Sequence, residues 1–293
     1  MNKIVITGAS GFLGTNLLKK LEKNKDVRIY ALSSRNIQLV SDNIFSFHKD
    51  VIDTKDAEDI LSDAVVVNCA FPRNSAGTDM ADGLSYISRL FFQCKKYKAK
   101  AIINISSQSV YSQKRELPAD ENTEICLESS YAVGKYATEL LLDSIFADTE
   151  INYTNLRMAS LIGPGFDQRI VNRLVKKALD LEPITVSVSK QTFGFLDICD
   201  AVDAISSLLA ISHIRWSHIY TVGNNRAVSL QEIIENIKNV FTERGMKLPI
   251  IEYLDEEKMG TTAVSYEKLH KETGFVPCVS LKESTQQILD YMK

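Results

Sequence analysis

Tyr131 and Lys135 stand four residues apart in Tyr131-Ala132-Val133-Gly134-Lys135. On a helix this spacing puts both side chains on one face. A phenol ordinarily loses its proton at pH ~10. An ammonium a few ångströms away favours the phenolate, so such a tyrosine can exchange a proton near neutral pH. Upstream, Ile102-Ile103-Asn104-Ile105-Ser106-Ser107-Gln108-Ser109-Val110-Tyr111 reads as an apolar strand ending in hydroxyl groups. Open α/β sheets bind their ligands at the carboxyl ends of the strands. A serine there can hydrogen-bond a substrate oxygen while the tyrosine moves its proton.

A third chemistry-bearing stretch opens the chain: Ile4-Val5-Ile6-Thr7-Gly8-Ala9-Ser10-Gly11-Phe12-Leu13-Gly14. It reads as a strand, a glycine-rich turn and a helix start. Gly8 suits a tight turn, Gly11 lets backbone approach a pyrophosphate, and Gly14 lets the helix pack closely. The helix N-terminus adds N–H groups and a positive dipole end. The expected phosphate cradle is Gly8, Ser10, Gly11, Phe12, Leu13 and Gly14. Where dinucleotide folds place a ribose-binding carboxylate, after the second strand, this chain has Ala31-Leu32-Ser33-Ser34-Arg35-Asn36. No Asp or Glu lies between Asp26 and Asp42. Ser33, Ser34 and Arg35 could hold a 2′-phosphate, which favours NADP(H) with NAD(H) possible. The same residues also fit an ordinary solvated loop.

The elements that must position these groups alternate. Strands are expected at Ile4–Thr7, Val27–Leu32, Ile44–His48, Ala64–Asn68, Ala101–Ile105, Ile151–Leu156 and His218–Val222. Their Ile- and Val-rich runs are those of strands buried on both faces. Helices are expected at Phe12–Leu21, Leu84–Tyr97, Tyr131–Phe146 and Ala201–Ile211. This order predicts an α/β fold, a Rossmann-type doubly wound parallel sheet. Phe166–Leu181, Ile184–Val188, Ser229–Phe241, Leu248–Tyr253 and a last helix near Leu281–Tyr291 break the rhythm. They predict a smaller, mainly C-terminal α/β lobe. The expected division is 1–163 with 194–223 for the dinucleotide-binding domain, and 164–193 with 224–293 for the substrate lobe.

Composition excludes other classes. The 293 residues are 45% hydrophobic and 24% charged, with a net charge of −3, so a nucleic-acid partner is not expected. Five widely spaced cysteines and four scattered histidines argue against a disulfide framework or a metal site. A reducing cytoplasm fits. No stretch reads as a signal peptide or membrane span.

The glycine loop, the Ser-Ser-x-x-Val-Tyr strand end and the YxxxK helix, in this order, resemble the extended short-chain dehydrogenase/reductases. Within them the similarity is to the NAD-dependent epimerase/dehydratase group, which acts mainly on nucleotide sugars. Asp50-Val51 resembles the family's adenine-contacting pair, and Asn68-Cys69-Ala70 its cofactor-lining segment. The segments Leu156-Arg157…Gly163-Pro164-Gly165 and Phe195 to Ala201 resemble those leading into its substrate lobe. The resemblance implies Tyr131 as acid/base and Lys135 as the residue that lowers its pKa and holds the nicotinamide ribose. It implies Ser107 as hydrogen-bond partner of the substrate oxygen, and Cys69, Ala70, Asp50 and Val51 as cofactor contacts. It further implies a homodimer and a place in polysaccharide biosynthesis.

Departures narrow the expectation. Dehydratases of the family carry Asp-Glu where Gln108-Ser109 stand, so water elimination is disfavoured. The subgroup making GDP-fucose has a cysteine where Ser109 lies. Epimerisation through a transient ketone, or keto-sugar reduction, remains, and the 2′-phosphate edge tilts the expectation towards a reductase. The family's diphosphate-contacting Asn is Ser160 here, and its nucleotide-pairing Arg is Phe193. Either Lys190, Arg169 or Arg173 substitutes, or the substrate is not a standard nucleotide diphosphate sugar. The alternative class is a non-catalytic dinucleotide-sensing module. Retention of Ser107, Tyr131 and Lys135 argues for the enzyme.

Overall fold

The computed structural model describes residues 2–37, 41–72 and 76–293. In chain order the strands are β1 (Asn2–Thr7), β2 (Val27–Ser33), β3 (Ile44–His48), β4 (Val65–Asn68), β5 (Ala101–Ser107), β6 (Asn152–Met158), β7 (Ser160–Ile162), β8 (Ile184–Asp197), β9 (Ile219–Val222), β10 (Ala227–Ser229) and β11 (Ile251–Thr261). The helices are α1 (Phe12–Leu21), α2 (Ala57–Leu61), α3 (Gly77–Lys96), α4 (Ser130–Phe146), α5 (Ile170–Leu179), α6 (Ile198–Ala210), α7 (Leu230–Glu243), α8 (Glu267–Thr273) and α9 (Leu281–Met292).

Seven strands form one sheet in the order β3-β2-β1-β4-β5-β6-β9. The pairings from β3 through β5 are parallel. Asn155 N donates to His218 O at 2.8 Å and Ala159 N to Val222 O at 2.9 Å. Four residues forward on each strand is a parallel register, so β9 continues the pattern. The chain steps from β1 out to β3, then returns to β4 on the other side of β1. This reversal is the switch point at which doubly wound sheets bind ligands. The Gly8 turn follows β1, and Cys69-Ala70 follows β4.

The chain divides into two compact units. One comprises Met1–Tyr111, Ile125–Arg157 and Ile205–Tyr220, the other Ser112–Glu124, Met158–Ala204 and Thr221–Lys293. In the first unit, Val5, Leu32, Val66 and Ile102 of the sheet pack with Ile87, Leu90 and Phe91 of α3 and with Leu142 and Phe146 of α4. In the second, β8 pairs parallel with β7 and β11 and antiparallel with β10. Its core joins Val171 and Val175 of α5, Ile233, Ile237 and Phe241 of α7, and Ile288 and Leu289 of α9. Ser229/Glu232 and Ser280/Glu283 form capping boxes that start α7 and α9.

Residues 112–124, which the sequence reading leaves in the first domain, group with the second unit. The Glu121 carboxylate accepts from Thr221 N at 2.6 Å and Thr221 Oγ1 at 3.0 Å. Arg115 donates to Ala263 O, and Ala119 bridges Val264. The FLDICDA segment has a structural role. Asp197 accepts from Ser284 Oγ at 2.5 Å, and the Asp200 carboxylate from Cys278 N and Val279 N at 3.0 Å each. These two carboxylates hold α9 and the turn before it. The helix expected at Leu84–Tyr97 begins earlier, at Gly77; its first two turns are mostly small and polar, so no apolar stripe marks them in the sequence. The strand expected at Ile184–Val188 runs on to Asp197.

Candidate active site

The glycine turn is built tightly. Gly8 has φ +64°, and a Cβ there would stand 2.7 Å from Ala70 N and 2.8 Å from the Cys69 carbonyl. Gly11 N donates to Gly8 O at 2.8 Å, closing the turn. Gly14 lies against the backbone of Gly8 and Ala9, where any side chain would collide. At Gly11 a Cβ would meet only Gly8 O, at 3.0 Å, so its outer side is open. Gly11 is the N-cap of α1 and supplies no side-chain cap; the first turn, with Phe12 and buried Leu13, has no acidic residue. The helix end therefore keeps its positive character outward, and the cradle fits a pyrophosphate.

Ser10, Ser33 and Arg35 come together beside it. Ser33 Oγ donates to Ser10 Oγ at 2.6 Å, Arg35 N to Ser33 Oγ at 3.0 Å and Arg35 Nη2 to Ser10 O at 3.0 Å. Ser34 is exposed next to them. Asp50 follows β3; its carboxylate accepts from Lys49 Nζ at 2.5 Å and lies 3.2 Å from His48 Nδ1, and the Lys49 hydrogen bond holds it below the usual carboxylate range. Val51 is buried in the core with Leu32.

Across the switch point, Cys69 N donates to Thr7 O at 3.2 Å. Burial pushes the Cys69 thiol up to about 12, against the pull of the nearby Lys135 charge. Gly8, Cys69-Ala70 and Lys135 are thus neighbours. Lys135 is 5% exposed. Its Nζ donates to Ile105 O at 2.7 Å and lies 4.2 Å from the Phe71 ring centroid and 6.0 Å from that of Tyr131. Burial pulls its ammonium down to about 8, while Cys69 and Glu139 favour the charge. Tyr131 is half-buried and meets Phe71 edge-to-face at 5.4 Å. Phe71 Cζ also approaches to 3.0 Å from where a Cβ on Gly134 would stand, so a glycine between Tyr131 and Lys135 admits this ring.

Ser107 ends β5. Its Oγ accepts from Ser109 N at 3.2 Å and Ser109 Oγ at 3.0 Å. Lys135 reaches the same strand end two residues earlier, so Ser107, Tyr131 and Lys135 belong to one cluster.

Sequence reasoning missed the polar layer beneath. Thr7 Oγ1 donates to Asn68 Oδ1 at 2.7 Å, and Asn68 Nδ2 to Asn104 Oδ1 at 2.9 Å. Asn104 Nδ2 donates to Asn155 Oδ1 at 2.8 Å and Thr138 Oγ1 at 3.1 Å. All five are at most 1% exposed. This ladder ties β1, β4, β5 and β6 to α4 directly under the cluster. Its one sequence signal is an asparagine inside otherwise apolar strands.

A turn, a helix end and a Tyr/Lys/Ser cluster meet at the switch point, and the sequence pattern of the NAD dependent epimerase/dehydratase family matches residues 4–223. The chain belongs to that family. It is 26% identical to the uncharacterized UDP-glucose epimerase YtcB of Bacillus subtilis (strain 168), over 99% of this chain and 98% of the other. It is 24% identical to the UDP-glucose 4-epimerase of Vibrio cholerae, over 84% and 78%. Among solved structures, the UDP-glucuronic acid 4-epimerase of Bacillus cereus in complex with UDP-glucuronic acid and NAD superposes with a TM-score of 0.84 at 22% identity, covering 99% of this chain and 98% of that one. The fold is that of these family members.

Proposed function

We propose that the chain is a nucleotide-sugar epimerase that works through a transient ketone. A nicotinamide dinucleotide held by the Gly8–Gly14 cradle supplies a reversible hydride acceptor. Tyr131 takes the proton of the sugar hydroxyl and returns it when the ketone is reduced. Ser107 hydrogen-bonds the same oxygen, and Lys135 favours the phenolate by its charge. Gln108-Ser109, in place of an acidic pair, supports epimerisation over dehydration. The names of the relatives turn the expectation from a reductase towards an epimerase.

The observation that carries this reading is the buried Lys135 ammonium, set between the Tyr131 ring and the Gly8–Cys69 turn. The test is chromatographic conversion of UDP-glucose and UDP-glucuronic acid with added NAD. The wild type should interconvert a 4-epimer pair. Tyr131→Phe should fall at least ~100-fold, the scale of acid–base catalysis, with cofactor binding unchanged. Equal rates in the two proteins would reject the assignment.

The Ser10/Ser33/Arg35 group supports acceptance of a 2′-phosphate, hence NADP(H) beside NAD(H). A homodimer through α3 and α4 is supported by the exposed Phe92, Val133 and Leu140 on these helices; monomers alone in light scattering would remove it. Five free cysteines support a cytoplasmic setting. Among the described residues no helix is long and apolar enough to cross a membrane.

A further inference from the structure

We propose that Glu139 and Arg157 are positioning residues whose buried ion pair, with Ser106 and Tyr111, brackets the turn carrying Ser107 and fixes it against the helix carrying Tyr131 and Lys135. The inference rests on the functional reading above and assigns roles to residues outside it.

Glu139 lies eight residues after Tyr131 and four after Lys135, on the same face of α4. Its carboxylate accepts Arg157 Nε at 3.1 and 3.2 Å and Arg157 Nη2 at 2.7 Å, and it also accepts Ser106 Oγ. The remaining terminal nitrogen of Arg157, Nη1, donates to Tyr111 Oη at 2.9 Å. The two charged side chains are 2% and 4% exposed.

The order along the chain gives this cluster its meaning. Ser106 immediately precedes Ser107, and Tyr111 immediately follows the short helical turn Gln108–Val110. Both flanks of the Ser107 turn therefore end on one ion pair. A third tie, Lys135 Nζ to Ile105 O, secures the residue before Ser106. Between these ties only residues 107–110 are left to shape the hydroxyl's position.

A buried ion pair is a poor source of net stability, since desolvation offsets its attraction and an apolar pair of similar volume often serves as well. An apolar pair would not reach Ser106 on one side and Tyr111 on the other. The planar guanidinium and the two-oxygen carboxylate set both distances at once. That geometric demand fits a group holding catalytic atoms in register.

Tyr111→Phe removes one hydroxyl and little volume, so it is the first test; Arg157→Lys, which keeps the charge and loses the fork, is the second. Both are assayed on the intact chain with UDP-glucose and NAD. For Tyr111→Phe, kcat should fall about tenfold, with the KM for the sugar nucleotide and the Kd for NAD within twofold of wild type. The Tyr111 amide, bonded to Gln108 O at 3.1 Å, should exchange hydrogen at least tenfold faster, while amides of the Gly8 turn stay unchanged. Arg157→Lys should show a larger fall in kcat. A kcat within twofold of wild type with unchanged exchange in Tyr111→Phe overturns the proposal. So does parallel loss of kcat and NAD binding, which marks general destabilisation. Hydrogen exchange reads the clamp without turnover, so a wild type inert on both sugars would refute the functional reading and leave this test standing.

Discussion

Replacing Lys135 by Met should stabilise the cofactor-free protein while abolishing turnover. Burial pulls the Lys135 ammonium from its ordinary 10.5 to about 8. At about 1.4 kcal/mol per pH unit, keeping the charge in the fold below pH 8 costs on the order of 3 kcal/mol. Met is unbranched, similar in length and apolar, so it can occupy the same channel beside Phe71. It leaves Ile105 O without its donor, a loss of about 1–3 kcal/mol. The net gain expected at pH 7 is up to about 2 kcal/mol. Below pH 8 the lysine is protonated in both folded and unfolded chains, and the full cost stands. Between pH 8 and 10.5 the unfolded chain keeps a proton that the folded one has released, so wild-type stability rises with pH. Above 10.5 the cost has vanished. The difference between Met variant and wild type must therefore shrink across that window, while tyrosine titration, common to both proteins, cancels. Urea unfolding of both proteins at pH 7 and pH 10 measures this. A variant less stable than wild type at pH 7, or a difference that does not move with pH, refutes the reasoning.

Three other substitutions probe the supports of the site. Gly8→Ala adds a Cβ at φ +64° and within 2.8 Å of the Cys69 carbonyl; fluorescence titration should show NADH binding lost, with a drop in Tm. Arg35→Ala should weaken NADPH binding about tenfold or more, the worth of a charged hydrogen bond, and leave NADH within twofold; equal effects on both would assign Arg35 to the loop alone. Asp200→Asn turns an acceptor of two backbone N–H groups into a partial donor. It should cost about 1–3 kcal/mol and expose Lys271 and Lys282 to trypsin before global unfolding.

The β1–Gly8–α1 unit could be read from sequence because every signal in it is local: an apolar run, glycines at the turn, and a helix whose last turn carries Lys19 and Lys20. Tyr131 and Lys135 were readable for the same reason, being one helical turn apart. What escaped depends on distant convergence. Thr7, Asn68, Asn104 and Asn155 become neighbours only once β1, β4, β5 and β6 are ordered side by side. Glu139 had a local signal, its fourth-residue spacing from Lys135, but its partners Ser106 and Arg157 lie on two other strands. The sequence pattern marks β11 only to Tyr253, because Asp255-Glu256-Glu257-Lys258 has no strand-like apolar alternation. Its register along β8 comes from backbone pairing, with an irregularity between Asp255 and Met259.

Where the family resemblance places an arginine for the nucleotide portion, Phe193 instead stacks on Phe195, with ring centroids 6.2 Å apart and planes at 19°. Ser160 lies opposite Phe195 in the β7–β8 register. Neither residue supplies charge to a diphosphate. In the same unit, Arg169 occupies the N-cap position of α5 without a side-chain capping bond, the first turn has no acidic residue, and the Arg169 guanidinium lies 4.9 Å from the Phe166 ring centroid. A cation held on an aromatic ring at a helix N-terminus is suited to an anion, whereas Lys190 lies out on β8. If the substrate carries a diphosphate, UDP should bind the wild type, and Arg169→Ala should weaken it by about 10-fold or more, from about 1.5–3 kcal/mol for a charged hydrogen bond. Phe193→Ala, which removes no charge, should change UDP affinity far less. Absence of UDP binding to the wild type by calorimetry would mean that the loss of both family residues reflects a sugar substrate without a nucleoside diphosphate.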